Sequence, residues 1–326
     1  RLVLGTQAEH ATEIRSWRED ELLCARSEAN PDFADGIAFT ALLGVENPSY
    51  SCDRAAFLGV PGDPCAPRAV RDDARLDERS GSFASSCFAQ QGTLTIKPGE
   101  TAVVHLLLGE AVGKTELQRL RSEFGSAEAL DDELASVREF WRETLGGLRV
   151  TTPSTAIDAM VNGWMPYQAL VCRMWARTAF YQSSGAYGYR DQLQDAGNFD
   201  LIWPERTRAQ LLLHARRQFR EGDVLHWWHD APVVRGVRTR FADDLLWLAY
   251  VTARYLRSSG DDSVLDELQP FLSAPLLDPG QEEHYLAPTA ASEHASLFEH
   301  CCRALDRSLT RGAHGLPLMG TGDWND

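Results

Sequence analysis

Residues 181–195 of this chain read YQSSGAYGYRDQLQD. Small residues open the run (Ser183, Ser184, Gly185, Ala186, Gly188), and Tyr189 leads into Arg190, Asp191, Gln192, Gln194 and Asp195. A run this polar, with three aromatics and two glycines, makes a poor core and a poor solvated helix. Glycine lets backbone approach a ligand closely. Tyr181, Tyr187 and Tyr189 offer flat faces with polar tips. Arg190 sets a rigid fork of donors beside the acceptor Asp191, which suits a ring carrying several hydroxyls. The stretch therefore reads as a sugar site. The alternative is a helix start whose Arg and Asp satisfy each other.

Helical patterns flank it. Pro153-Ser154-Thr155 can cap a helix running through Met160, Trp164, Tyr167, Leu170 and Met174. Pro204 suits the first turn of a helix carrying Leu211, Leu212 and Phe219. Ala242–Arg257 predicts a helix with Leu245, Leu248 and Tyr255 inward, and Ser263–Leu272 predicts another. Ala291–Leu309 predicts a third, with Leu297, Cys301, Ala304, Leu305 and Leu309 on or near one face. Periodicity alone makes this region mostly α and goes no further.

Toward the N-terminus the pattern changes twice. Gly113–Gly147 is rich in Glu, Leu, Arg and Ala at helical spacing, which predicts two helices broken near Gly125-Ser126 with a solvated charged face. Residues 1 to about 110 read as β, in FADGIAFTALLGV, SGSFASSCFAQQGTLTIKPG and TAVVHLLLGEA. Lys97-Pro98-Gly99 reads as a turn leading directly into a strand. Several short strands without helical periodicity predict a sandwich, while Trp17–Arg26 reads as helical. The expected organisation is a β-sandwich over 1–112, a helical linker over 113–148 and a helical domain over 149–326.

A chain of 326 residues is long enough for two domains with full cores, and 44% hydrophobic with 24% charged residues is ordinary for a globular protein. A net charge of −15 argues against nucleic acid as a partner and against an anionic membrane surface, while a neutral glucan is indifferent to it. No apolar run approaches the length of a membrane span. The seven cysteines are scattered without CxxC spacing, which argues against a disulfide framework or zinc site and predicts reduced thiols in a cytoplasmic setting. The start at Arg1 and the stop inside a motif at Asp326 read as a fragment.

That last motif, GTGDWND at 320–326, is a second centre of chemistry. A carboxyl beside an indole is poorly hydrated, so its pKa rises, which is what a general acid needs near neutral pH. His226-Trp227-Trp228-His229 has two histidines at a spacing that can hold metal on a helix, but no acidic or Cys partner matches it. Trp227 and Trp228 read instead as a carbohydrate platform or a packed loop. Arg235, Arg238 and Arg240 follow, then Asp243 and Asp244. The bland reading is a salt-bridged helix start; the sharper one puts Arg238 or Arg240 on a sugar cleft. His294 and His300, expected on the last helix, and His314 in the loop read as packing or capping residues. Walker-type and GxSxG motifs are absent, so nucleotide hydrolysis and serine esterase chemistry find no support.

GAYGYRDQLQD, HWWH, GVRTRFADDLLWL at 236–248 and GTGDWND occur in this order. Together they resemble the inverting disaccharide and oligosaccharide phosphorylases of glycoside hydrolase family 94, and most of all the phosphorylase-like C-terminal region of cyclic β-1,2-glucan synthases. The resemblance is strong over Leu148–Asp326 and loose before it. It implies an N-terminal β-sandwich, a helical linker and an (α/α)6 barrel, of which this chain holds the first half. It implies Asp326 as general acid, Trp324 lining the site of the cleaved sugar, and Arg190-Asp191 binding that sugar; Tyr189, Trp227 and Trp228 join them as substrate-binding candidates by their aromatic faces. Asp323 is then structural. Asp53-Arg54 resembles the family's N-terminal motif, which implies that Arg54 touches the acceptor sugar; the alternative is a turn ion pair. In the disaccharide phosphorylases an additional Arg lies shortly before the Arg-Asp pair. Here the place is taken by Ser183-Ser184-Gly185, which favours the β-1,2-glucan branch.

The function implied is phosphorolysis or remodelling of a β-linked glucan, most of all β-1,2, giving α-glucose 1-phosphate. An inverting phosphorylase needs one essential carboxyl, because phosphate is already an anionic nucleophile, whereas a hydrolase needs a second as base. The expected co-substrate is inorganic phosphate, with no cofactor and no metal. The expected partners are the glucan and the rest of a larger polypeptide, which supplies the missing barrel half with its phosphate site and, in the synthases, a membrane-bound region. The rivals are an inverting β-glucan hydrolase and a non-catalytic glucan-binding module.

Overall fold

A computed structural model describes residues 12–29, 31–175 and 185–320. The chain divides into two compact units, Arg1–Val137 and Arg138–Asp326.

The first unit is built on antiparallel strands. β1 (Ile14–Glu19), β2 (Leu22–Ser27), β3 (Gly36–Leu43) and β6 (His105–Val112) form one sheet in the order β1-β2-β3-β6. β4 (Glu46–Asp53) and β5 (Ser86–Thr93) form a separate ribbon. Two short helices, α1 (Arg54–Leu58) and α2 (Arg68–Arg71), lie between β4 and β5 in sequence. Alternation on the strands buries both faces of the large sheet. Leu22, Cys24, Ile37, Phe39 and Ala41 pack with Leu117 of α3 (Gly113–Phe124), whereas Ile14, Ala25 and Ala38 pack against Phe88 of β5.

Trp17–Arg26 is therefore not a helix, as its sequence predicts, but the hairpin β1-β2. Trp17 pairs with Cys24 and Glu19 with Leu22, and Asp20 takes φ 54° in the turn. The period-2 alternation of buried residues outweighs the charged composition that reads as helical. The Lys97-Pro98-Gly99 turn closes with Glu100 N–H donating to Lys97 O at 3.0 Å, but β6 begins only at His105. The two helices expected after it are α3 and α4 (Ala127–Thr144).

The second unit is mainly helical, with strands the sequence reading did not foresee. Ser154 caps a helical run in which α5 (Thr155–Ala159) and α6 (Met165–Gln168) alternate with π-turns at Met160–Trp164 and Ala169–Trp175. There follow α7 (Tyr189–Ala196), α8 (Pro204–Ala215), α9 (Asp244–Ser259) and α10 (Leu297–Ser308). Helix α9 packs against α7, α8 and α10. Their shared core holds Tyr189, Leu193, Leu211, Leu248, Val251, Tyr255, Leu297 and Cys301. Among the described residues these helices do not close a ring. No helix among them is long and apolar enough to cross a membrane.

Three helix expectations are corrected here. Phe219 lies beyond α8, in an isolated bridge to Leu272. Ser263–Leu272 is a short 3-10 turn (Asp262–Asp266) followed by strand β10 (Leu268–Ser273), because Pro270 has no N–H to give a helix. Ala291–Leu309 is helical only from Leu297; its first part belongs to β12 (Thr289–Ser296), which pairs with β10. Ser296 and Glu299 mark the true start, with Glu299 N–H donating to Ser296 Oγ at 3.3 Å. His294 accordingly sits on a strand.

Candidate functional site

A four-stranded antiparallel sheet aligns three of the sequence motifs. Its order is β11-β9-β8-β7, with β7 Tyr187–Gly188, β8 Leu225–His229, β9 Arg235–Thr239 and β11 Glu283–Leu286. HWWH, expected as a helix or loop, is thus strand: Tyr187 pairs with Trp228, Gly188 with Trp227, and Trp227 with Val237. Gly188 ends β7 and opens α7, placing Arg190 and Asp191 in the first helical turn. The Asp191 carboxylate folds back over that glycine. A Cβ on Gly188 would lie 2.1 Å from Asp191 Oδ2, so only glycine leaves room for it.

Arg190 does not pair with its neighbour in the way the sequence invites. Its Nη1 donates to Asp243 Oδ2 at 2.7 Å, and its guanidinium lies 5.4 Å from the Trp247 ring. Asp243 is the residue before α9, where an aspartate ordinarily caps the helix, yet its side chain makes no capping bond. The carboxylate is turned to Arg190 instead. The next residue, Asp244, is 1% exposed and accepts a hydrogen bond from His226 Nδ1 at 2.8 Å. The His226 ring stacks on Phe241 at 4.3 Å and 19°. Burial pushes the Asp244 carboxyl up to about 6 against the pull of His226, and Asp243 and Asp191 add to the rise. Burial alone would lower His226, but the Asp244 bond and the charges of Asp244, Asp191 and Asp243 bring it above its ordinary value. Among the described residues, the carboxylates of Asp191, Asp243 and Asp244 thus gather near the Arg190 guanidinium and the His226 imidazole.

Met319 and Gly320 lie against the same turn. Ala242 N–H donates to Met319 O at 3.3 Å. Gly320 takes φ 80°, and a Cβ there would lie 1.9 Å from Arg240 O. Residues 321–326, and with them Asp323, Trp324 and Asp326, lie outside the described residues, as do Tyr181, Ser183 and Ser184.

Tyr189 and Trp228 are placed behind this cluster. Expected to offer faces to a sugar, they are 0% and 2% exposed. Both rings contact His214 edge-on, at 4.9 and 5.3 Å. His214 gave no signal in a helix otherwise read as packing; its burial pushes its pKa down to about 3, so it is neutral. Trp227 is half-buried and lies against Tyr285 (5.5 Å) and His229 (5.4 Å) on the sheet. Tyr285 was not foreseen either. His226 and His229 face different neighbours, and the Nδ1 of His226 is taken by Asp244.

Arg238 is a core residue, not a cleft residue. It is 0% exposed, grips Asp223 through Nε (2.6 Å) and Nη2 (2.7 Å), and stacks on Phe219 at 3.9 Å. Arg240 donates to the carbonyls of Gln281, Leu277 and Asp278, holding that loop. His300 is a packing residue, 0% exposed, 4.0 Å from Phe271, and burial pushes it down to about 4. In the first unit Asp53 caps α1, accepting from Ala55 and Ala56 N–H, and pairs with Arg79 at 3.3 Å. Arg54 is exposed. A cavity of about 300 Å³ beside Trp228, His229 and Arg235 includes neither Arg190 nor Asp191.

Two family models match the chain. The model of the glycosyl hydrolase 94 superfamily catalytic domain matches residues 140–326, and that of the glycosyl hydrolase 94 supersandwich domain matches residues 4–127. Cyclic beta-(1,2)-glucan synthase NdvB of Rhizobium meliloti is 39% identical over 315 residues, covering 96% of this chain and 11% of that protein. The N,N'-diacetylchitobiose phosphorylase of Vibrio proteolyticus is 28% identical over 329 residues, covering 91% of this chain and 38% of the relative. Solabiose phosphorylase of Paenibacillus borealis is 27% identical over 316 residues, covering 94% of this chain and 36% of the relative. The chain thus spans only a minor part of the length of these relatives.

Proposed function

We propose a function from one premise: the chain belongs to the glycosyl hydrolase 94 superfamily. It carries that family's supersandwich and catalytic domains, which mark an inverting glycoside phosphorylase. The full-length protein then cleaves a β-linked glucan with inorganic phosphate, giving α-glucose 1-phosphate. The second unit is the first part of an (α/α)6 barrel, and the domain limits fall at 1–112, 113–148 and 149–326. The β-1,2 linkage is favoured by the higher identity to the glucan synthase and by Ser183-Ser184-Gly185 in place of an additional Arg.

The observation that carries the reading is the meeting of three motifs on one turn. Asp243 holds Arg190, and Gly320 is seated on Arg240 where the chain enters TGDWND. In the reaction, Asp326 protonates the glycosidic oxygen as phosphate attacks the anomeric carbon from the other face. The β bond thereby becomes an α phosphate ester. Trp324 desolvates the acid, which keeps its proton available near neutral pH. Arg190 and Asp191 hold hydroxyls of the sugar being transferred, Trp227 stacks on the glucan, and Arg54 reaches the acceptor. Tyr189 and Trp228 support the site from the core. No second carboxylate is needed as base.

The test is turnover of β-1,2-gluco-oligosaccharides by the full-length protein with and without phosphate. Phosphate-dependent release of glucose 1-phosphate is expected. Equal release of free glucose without phosphate assigns a hydrolase, and binding without turnover assigns a glucan-binding module.

A further inference from the structure

We infer that His226 is a positioning residue, which sets the Arg190 guanidinium by locking the Phe241–Asp244 turn through Asp244. The inference rests on the proposed role of Arg190 in holding sugar.

Arg190 donates to Asp243, so a shift of Asp243 reaches Arg190. Asp243 forgoes the cap of α9 to do this, which leaves the turn without its ordinary anchor. His226 supplies the anchor at both ends of the turn. Its ring stacks on Phe241, and its Nδ1 donates to Asp244, the first residue of α9. That bond is the one Asp244 makes among the described residues, since Oδ1 has no partner there. Asp244 is buried, so without His226 its carboxyl loses the hydrogen bond that offsets its desolvation. The turn would shift to relieve it and carry Asp243 along. Ala242 in the same turn also donates its N–H to Met319 O, so the shift is passed to the chain at Met319. His226 lies on β8 next to Trp227, whose partner Gly188 opens the helix bearing Arg190. The sheet therefore sets the distance between the anchor and the residue it aims. Among the described residues, Asp191, Asp243 and Arg190 are charged groups near the pair.

The experiment is a double-mutant cycle in the full-length protein, with kcat and KM for glucan measured for Arg190→Ala, His226→Leu and the double variant. His226→Leu is expected to lower kcat/KM by about 10- to 100-fold, as misplacement of a binding group does. The double variant should be no worse than Arg190→Ala alone. His226→Asn keeps an N–H near the Nδ1 position and should recover most of the loss, and it also serves if His226→Leu fails to fold. If the two losses multiply independently, or His226→Asn is as poor as His226→Leu, the positioning role is overturned while the role of Arg190 stands. If Arg190→Ala has wild-type kinetics, the reading of Arg190 itself falls and this inference with it.

Discussion

Replacing Gly320 with alanine probes the proposed approach of the 320–326 motif to Arg190 and Asp191. The added methyl would sit 1.9 Å from the Arg240 carbonyl oxygen, whereas an ordinary contact begins near 3.4 Å, so the chain has to move by about 1.5 Å. Its φ of 80° adds about 1–2 kcal/mol for a residue with a Cβ. Neither neighbour can yield cheaply, because the atom met is backbone and Ala242 N–H already holds Met319 O. The displacement is passed to the residues that follow, up to Asp326. A reacting group misplaced by an ångström costs on the order of 100-fold in rate. The expected result is therefore a loss of about 100-fold or more in kcat/KM for phosphorolysis, together with a melting temperature lowered by a few degrees. Gly315→Ala is the control. It has the same strained sign of φ, 73°, but nothing within 4 Å of the new methyl, and it should stay near the wild-type rate. Wild-type turnover by Gly320→Ala would refute the docking of the acid motif on Arg240. An equal loss in Gly315→Ala would show that backbone strain, not displacement, is responsible.

Other outcomes follow from the same geometry. Arg238→Leu strands the buried Asp223 carboxylate and should cost about 3–5 kcal/mol, lowering the melting temperature by roughly 10 °C; a shift near zero would return Arg238 to the surface. Asp244 binds its proton more tightly folded (about 6) than unfolded (3.8), so its contribution to stability is lost as pH rises across that interval. His226, raised above 6.5 by its partner, adds stability below 6.5 that is lost as pH climbs through its raised value. Asp244→Asn removes the Asp244 slope and takes from His226 the partner that raises it most, so melting temperature should vary less between about pH 4 and pH 8 than in wild type, and an unchanged profile would contradict the pairing. Trp227→Ala should weaken glucan binding about 2- to 10-fold by calorimetry, in chelator as without it. Unchanged affinity would make Trp227 a packing residue.

The sequence marked the residues that meet near Arg190 but not the contacts that join them. The Arg190-Asp191 pair stood out because glycines and tyrosines preceded it, and the Asp243-Asp244 pair was visible as a helix start. What joins them was hidden. Arg190 reaches 53 positions along the chain to Asp243, and no local spacing encodes that. The strands of the second unit escaped for a physical reason. Gly236 to Thr239 are all buried, so β9 shows no alternation, and β7 is two residues long. β12 begins among alanines and a glutamate that favour a helix by composition, and only the Ser296-Glu299 cap gave the boundary away. Tyr189 and Trp228 were misjudged because an aromatic in a polar run looks exposed, whereas here His214 and the helical core enclose both.

The account turns on Asp326 as the one proton donor, and leaving-group dependence tests that most directly. Asp326→Asn in the full-length protein removes the proton but keeps size and hydrogen bonding. Turnover of the natural β-glucan should fall by roughly 10²–10⁴-fold. An activated donor with a nitrophenol or fluoride leaving group needs little protonation, so with phosphate present it should recover much of the rate. Equal slowing of both donors would contradict the account and make Asp326 a residue that positions the sugar.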